Sequence, residues 1–402
     1  MYGPFGAGHV NPTLGIVAEL IRRGHEVTYW APHMFSERIQ ETGARFEPVT
    51  STWEQLEGGP PQMHGKEFIR AMGLLLDETA AMVPRLSPAP PPDLVLHDGP
   101  LAWWGRILAH HWDVPAVETW PNFVGNEHWS MNAYTKINPL SPRFLWQMLR
   151  IGRYLRHQGI SDIGGFMQGE LAAARLVTIP RAFQYAGDTF TDWHFVGPAL
   201  TGRGFQAGWT PPDGDLPVLL VSLGTAYNAR PDFFRMMISS AAARPWHVVL
   251  AIGDQVDPGG LGPIPDNVEV HERVPQLAVL QHSRAFVTHT GMGGTMEGIA
   301  HQVPMVAVPQ MAEQRANADR IAELGLGRTL SPEDLDASSL WAAVDAVAAD
   351  AGIRRRLSQM RAECVSAGGA PRAAEVIEQV VNAQEPNPGF GSERSRDRAD
   401  GM

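Results

Sequence analysis

Two hydrophobic periods alternate along this chain. Residues 12–23 put Leu14, Val17, Ala18 and Ile21 on one face of a 3.6-residue helix, and Gly24 stops it. A strand is predicted at 26–30, a helix at 35–42, a strand at 44–49 and a long helix at 66–86. Pro88, Pro90, Pro91 and Pro92 then break the chain. Strand 93–97, helix 101–112 and strand 115–120 follow. Residues 121 to about 165 are irregular and rich in Trp, Met, Asn and Pro, before a helix at 165–174 and a strand at 176–179. Strands separated by helices imply a parallel, doubly wound α/β sheet.

Residues 202–217 are rich in Gly and Pro without periodicity and read as a linker. A second series begins beyond it. Its strands are predicted at 218–222, 247–252, 268–271, 285–288 and 305–308, and its helices at 232–243, 294–301, 312–324, 338–349, 354–367 and 372–381. The pattern gives two Rossmann-like domains, 1–201 and 218–383, and a polar tail, 384–402, expected to be disordered.

Composition narrows the function. A chain of 402 residues is long enough for two ordinary cores. A net charge of -11 repels a phosphate backbone, so nucleic acid is not an expected partner. Cys364 is the sole cysteine, which excludes an intrachain disulfide and suits a cytoplasmic setting. No apolar run reaches the length of a transmembrane helix and no signal peptide is visible. A monomer or homodimer is expected.

The chemistry concentrates between 268 and 314. The apolar run 285–288 leads through His289 into Thr290-Gly-Met-Gly-Gly-Thr295, and a helical segment carrying Glu297 follows. A strand, glycines and a helix start make an anion site, because free backbone N–H groups and the positive end of the helix dipole face a phosphate. Gly291, Gly293 and Gly294 let a diphosphate approach, Thr295 adds a hydroxyl, and His289 can donate a ring N–H. Glu297 suits a ribose diol, while Glu313 and Gln314, after the strand 305–308, suit sugar hydroxyls. Near the N-terminus, His9 follows a Gly-Ala-Gly loop, where open α/β sheets bind ligands. Its neutral-range pKa fits a general base. Asp98, at the end of strand 93–97, can orient that imidazole. Pro12 is expected at the first turn of its helix, and His97 is expected to point away from the site. Trp120, Asn122, Phe123, Trp129, Met131 and Tyr134 follow a strand's carboxyl end and are candidates for an apolar acceptor pocket, with domain packing as the alternative.

These motifs, with Leu94-Val-Leu-His-Asp98 and Val221-Ser-Leu-Gly-Thr225, resemble the family 1 UDP-glycosyltransferases, most nearly bacterial macrolide glycosyltransferases of the oleandomycin type. The resemblance runs along nearly the whole chain. It implies a GT-B fold whose last helix crosses back onto the first domain. It also implies inverting, metal-independent transfer of a hexose from a UDP-sugar co-substrate, with no other cofactor, to a hydroxyl of an apolar small molecule. His9 is then the base and Asp98 its partner. Ser222, Thr225, Arg273, Val274, Gln276, His289, Gly291, Gly293, Gly294, Thr295, Glu297, Glu313 and Gln314 then hold the donor. Arg273 stands where the family has a Trp stacked on the base, and a guanidinium can also stack. A dTDP-deoxysugar donor and a non-catalytic GT-B-like helper are the alternatives. An NAD enzyme fits poorly: Asn11 stands where its third glycine would be, and strand 26–30 ends without a ribose-binding acid. A nucleotide-sugar isomerase would release nucleotide without an acceptor. The family opens with a full apolar strand before the Gly-His loop, whereas this chain begins four residues before Phe5; the expectation is that the natural start lies upstream of Met1.

Overall fold

The computed structural model describes residues 1–383 except 5, 57–60, 62, 202–207 and 226–227. The tail 384–402 and most of the first half of the linker lie outside the described residues. In the N-terminal half the elements are α1 (Ala7–Arg22), β1 (Thr28–Ala31), α2 (Ser36–Gln40), β2 (Arg45–Pro48), α3 (Gly65–Leu86), β3 (Val95–Asp98), α4 (Trp103–Trp112), β4 (Ala116–Trp120), α5 (Asn132–Thr135), α6 (Pro142–His157), α7 (Ile163–Gln168), β5 (Ala174–Val177) and β6 (His194–Phe195). All strand pairs are parallel, in the orders β1-β2 and β3-β4-β5-β6.

The first three residues join these two groups. Tyr2 bridges Trp30 on one side and His97 on the other. Its N–H donates to the Leu96 carbonyl at 2.9 Å, the Gly3 N–H to Trp30 at 2.9 Å, and the Trp30 N–H to Met1 at 2.8 Å. The place of the family's first strand, next to β3, is thus held by a very short segment. Because that segment is flanked by β1 and β3, the chain direction of the connections reverses there, and its carboxyl end is a switch point of the kind where doubly wound sheets bind ligands.

The C-terminal half repeats the design with β7 (Val218–Ser222), α8 (Pro231–Ala241), β8 (His247–Ala251), β9 (Val268–His271), α9 (Gln276–His282), β10 (Ser283–Thr288), α10 (Met292–Ala300), β11 (Met305–Ala307), α11 (Ala312–Glu323), β12 (Gly327–Thr329), α12 (Ala337–Ala349), α13 (Ala351–Ser366) and α14 (Gly369–Asn382). The strand order is β12-β11-β10-β7-β8-β9, again parallel, so this switch point lies between β7 and β10. Every residue of β7 and β8 is buried, as expected of strands covered on both faces. The core of this half runs on into Phe123, Val177, Ile179 and Phe183 of the other half. α14 returns to pack on α1, burying Ala370, Ala373, Ala374 and Ile377 with Ile16 and Leu20, and Arg23 closes the contact on Glu378 at 2.7 Å.

Two expectations are corrected. The first helix begins at Ala7, so Pro12 is its sixth residue and His9 lies in its first turn. The segment 121–165 is not irregular throughout: α6 spans 16 residues, with Ser141 accepting from the Phe144 N–H and Pro142 at its start. Its inward residues Ile151 and Leu155 obey a helical period, but exposed apolar residues on the opposite face obscure it. α9, β6 and β12 are too short to leave a periodic signal.

Beneath the carboxyl ends of β3 and β4 lies a buried polar knot. Arg106 on α4 donates to Glu118 on β4, to the Phe166 carbonyl, and to the Gly99 carbonyl at 3.1 Å. Trp120 donates to the other Glu118 oxygen at 2.9 Å. Removing one partner leaves the other charge stranded, which costs about 3–5 kcal/mol for a buried pair. Arg106→Met should therefore lose about that much stability in urea unfolding, whereas Arg22→Met, breaking the exposed pair with Glu19, should leave the unfolding midpoint essentially unchanged.

Candidate functional site

The two switch points face each other across α1 and α10, which are in contact. On the N-terminal side, His9 Nδ1 lies 2.7 Å from Asp98 Oδ2. Asp98 is fully buried, and its other oxygen accepts from the Leu101 N–H at 2.8 Å. The carboxylate is thereby fixed by its own loop, and its remaining oxygen is left for the imidazole. The loop is fixed in turn: Gly99 donates to the Thr119 carbonyl at 3.0 Å, while its own carbonyl accepts from Arg106. Burial of His9 disfavours its charged form, but the Asp98 charge and hydrogen bond, with the charge of Glu313, outweigh this, and its pKa is raised above the ordinary 6.5. With Nδ1 occupied, Nε2 is the nitrogen free to take a proton. His97, one residue away, is buried under α4, against Gly105, and plays no part in the dyad.

The C-terminal side assembles an anion site. Gly291 caps α10 without a side-chain hydrogen bond; the Met292 N–H at the helix start is met by Glu313, which leaves the N–H groups of Gly293 and Gly294 for an anion. A Cβ at Gly293 would meet nothing within 4 Å, which places this glycine on an open face. His289 stands beside it, wedged between two glycines: a Cβ at Gly224 or Gly291 would come within 2.4 or 2.6 Å of Nε2. Burial lowers its pKa to about 4, opposed only by the Ser222 carbonyl, so the ring is neutral at working pH and can donate one N–H. Its Nδ1 and the Thr295 hydroxyl are buried without a partner among the described residues. Thr295 is fully buried, so its hydroxyl is not displayed at the surface as the sequence suggests.

Thr290 holds the turn together in a left-handed conformation, φ 61°, unusual for a β-branched residue and costing about 1–3 kcal/mol. Three bonds enforce it. Its N–H donates to Thr288 Oγ1 at 3.0 Å, its hydroxyl to the Gln314 carbonyl at 2.9 Å, and its carbonyl accepts from Asn317 at 2.8 Å. Asn317 also donates to Glu313 at 2.6 Å. The sequence reading missed Asn317, although its spacing of four from Glu313 on a helix was the available signal. It missed Gly224 as well, whose φ of +80° and contact with His289 only the fold reveals. Glu313 has its pKa raised by burial, opposed by the Asn317 bond and by His9 across the cleft. Gln276 and Glu297 come together, at 2.6 Å, between α9 and α10, and Gln314 accepts from the Gln310 N–H at 2.8 Å. Ser222 is buried at the end of β7, and Thr225 and Arg273 are exposed, the latter 3.4 Å from Asp254. Val274 packs on the edge of the core.

The aromatic candidates are engaged in packing. Phe123 is buried, stacked 5.5 Å from Phe183, and Trp129 stacks 4.8 Å from Tyr185. Tyr185 donates to the Ala316 carbonyl of α11, and Tyr134 donates to Asp319 at 2.9 Å. Arg320 completes the clasp on the carbonyls of Phe183, Ala182 and Gln184. Trp120 is wedged between Gly99 and Gly169, while Met131 packs on the core edge and Asn122 is half-buried. For Phe123, Trp129, Met131 and Tyr134 the domain-packing alternative describes what the side chains touch. A shallow apolar recess does lie beside the dyad, lined by Pro4, Trp53, Leu75, Glu78, Leu101 and Trp104; the sequence reading did not single these residues out.

Comparisons with known proteins agree with this geometry. The profile of the erythromycin biosynthesis protein CIII-like C-terminal domain matches residues 235–383. Demethyllactenocin mycarosyltransferase of Streptomyces fradiae is 38% identical, over 94% of this chain and 85% of the relative. Oleandomycin glycosyltransferase of Streptomyces antibioticus is 37% identical, over 94% and 89%. The solved structure of the calicheamicin glycosyltransferase CalG4 superposes with a TM-score of 0.82 at 34% identity, covering 96% of this chain and 98% of that one.

Two substitutions test the anion site. His289→Ala should weaken UDP binding by roughly 1.5–3 kcal/mol, the range for a hydrogen bond to a charged group, as read by calorimetry. Because the ring is neutral down to about pH 4, wild-type affinity should show no step from this group between pH 6 and 8. Glu313→Ala should weaken a UDP-sugar more than free UDP; equal losses would place Glu313 away from the sugar.

Proposed function

The chain belongs to the GT-B macrolide glycosyltransferases, and from that premise we propose that it moves a hexose, glucose from UDP-glucose, to a hydroxyl of an apolar natural product such as a macrolide. The observation that carries the reading is the apposition of an Asp98-oriented His9 with the glycine-rich start of α10 and a neutral His289. His9 Nε2 takes the proton of the acceptor hydroxyl as its oxygen attacks the anomeric carbon. The bond from that carbon to the β-phosphate oxygen breaks, its electron pair leaves with the diphosphate, and the configuration inverts. Asp98 stabilises the imidazolium that forms. The first-turn N–H groups of α10 and the ring N–H of His289 meet the charge growing on the leaving group. Gln276 and Glu297 suit the ribose, and Glu313 and Gln314 the hexose hydroxyls. In this scheme no metal and no cofactor beyond the nucleotide sugar takes part, and the setting is the cytoplasm.

A dTDP-sugar donor is the second reading. It is favoured by Arg273 where the resembled family stacks a Trp, and by the mycarosyl donor named for one relative. Incubating the protein with UDP-glucose or a dTDP-sugar and a panel of macrolides and flavonoids, and reading product masses, separates the two. His9→Ala should lose turnover by about 10²–10⁴-fold, the usual contribution of acid–base catalysis, while retaining nucleotide binding. Near-normal turnover in His9→Ala would remove the base from this scheme, and nucleotide release that needs no acceptor would point to an isomerase or hydrolase instead.

A further inference from the structure

We propose that the outer face of α6 docks the protein on an anionic lipid surface. The inner face of this helix is packed: Ile151 and Leu155 are buried in the N-terminal core, and Gly152 lets Ile163 approach. The outer face is not. Leu145, Trp146 and Leu149 are 49%, 59% and 70% exposed, and Leu140, just ahead of the helix, is 79% exposed. Leu145, Trp146 and Leu149 share one stripe at spacings of three and four, about 17 Å long with the basic residues that follow. Arg153 and Arg156 extend the same stripe, and Arg143 flanks it. None of these three arginines makes an ion pair among the described residues, and α6 carries no carboxylate. Arg150 pairs with Asp77, and its guanidinium lies 5.0 Å from the Trp146 ring.

The chain as a whole carries a charge of -11. A cationic, tryptophan-bearing apolar stripe on such a protein runs against its overall balance. Leucine and tryptophan beside unpaired arginines, on a convex helix, match the boundary between headgroups and acyl chains of an anionic bilayer. A second copy of the same face would bring further arginines and no carboxylate to answer them. An acidic protein would answer the arginines but would need its own apolar patch for Leu140, Leu145, Trp146 and Leu149, whereas a bilayer offers both along its whole surface. An enzyme held there would meet apolar acceptors where they partition.

Co-sedimentation of the full chain with vesicles tests this. Binding should be strong to phosphatidylcholine vesicles containing about one-third phosphatidylglycerol, weak to phosphatidylcholine alone, and lost at high salt. Each arginine near an anionic surface contributes about five-fold in partition. Arg153→Gln with Arg156→Gln should therefore reduce binding about 25-fold, and Trp146→Ser with Leu149→Ser should reduce it at least as much. Both double variants should keep the wild-type melting temperature and turnover with water-soluble reactants. Failure of the wild type to sediment, equal binding to neutral and anionic vesicles, or wild-type binding by both variants would each overturn the proposal. Concentration-dependent dimerisation abolished by Trp146→Ser with Leu149→Ser, without vesicle binding, would instead assign the face to a protein contact and overturn it as well.

Discussion

The 2.7 Å hydrogen bond between His9 and Asp98 is the interaction on which the rest of the molecule is organised. The partners are separated by 89 residues and meet because β3 lies directly beside the segment that leads into α1. Among the described residues Met1–Gly3 pair there, and they place Tyr2 between Trp30 and His97. Asp98 cannot drift, since its second oxygen holds the Leu101 N–H and the next carbonyl is gripped by Arg106. The buried Arg106–Glu118 pair thus acts at a distance on the dyad. As an ion pair it loses in desolvation much of what it gains in attraction, but as a fixture for one loop it is well sited.

The facing site uses different physics. There the positive end of a helix, open glycines and an imidazole kept neutral by burial replace charged side chains. Backbone strain at Thr290 is tolerated because hydrogen bonds from two further elements over-determine it. The two halves are joined by the Tyr185–Ala316 and Arg320 contacts and by α14 lying back over α1. Glu313 feels His9 across the cleft and His9 feels Glu313, so the halves are coupled electrostatically as well as mechanically.

Much of this was legible in the residues. Strands 218–222 and 268–271 match their predicted bounds, the first as a buried apolar run ended by a polar residue, the second as an edge strand that alternates Val with polar residues. The dyad and the 289–297 turn were legible because their chemistry sits in local motifs. What escaped depends on neighbours distant in sequence. The α6 pattern was masked by apolar residues that face outward. The aromatic cluster after β4 reads as a pocket until Tyr185 and Phe183 are placed against it. Pro12 looked like a helix start because proline favours the first turn, whereas here the helix already begins at Ala7. The role of Gly224 exists only because β7 and β10 are adjacent.

The most direct measurement is the protonation of the His9 ring itself. In protein labelled with ¹⁵N-histidine, the His9 resonance can be identified as the one missing from His9→Gln. The account expects the neutral ring to carry its proton on Nδ1, hydrogen-bonded to Asp98, and to titrate above the ordinary imidazole value of 6.5. It also expects Asp98→Asn to move that titration downward, since the charge favouring imidazolium is gone. A bare Nδ1, or a titration that Asp98→Asn leaves in place, would contradict it.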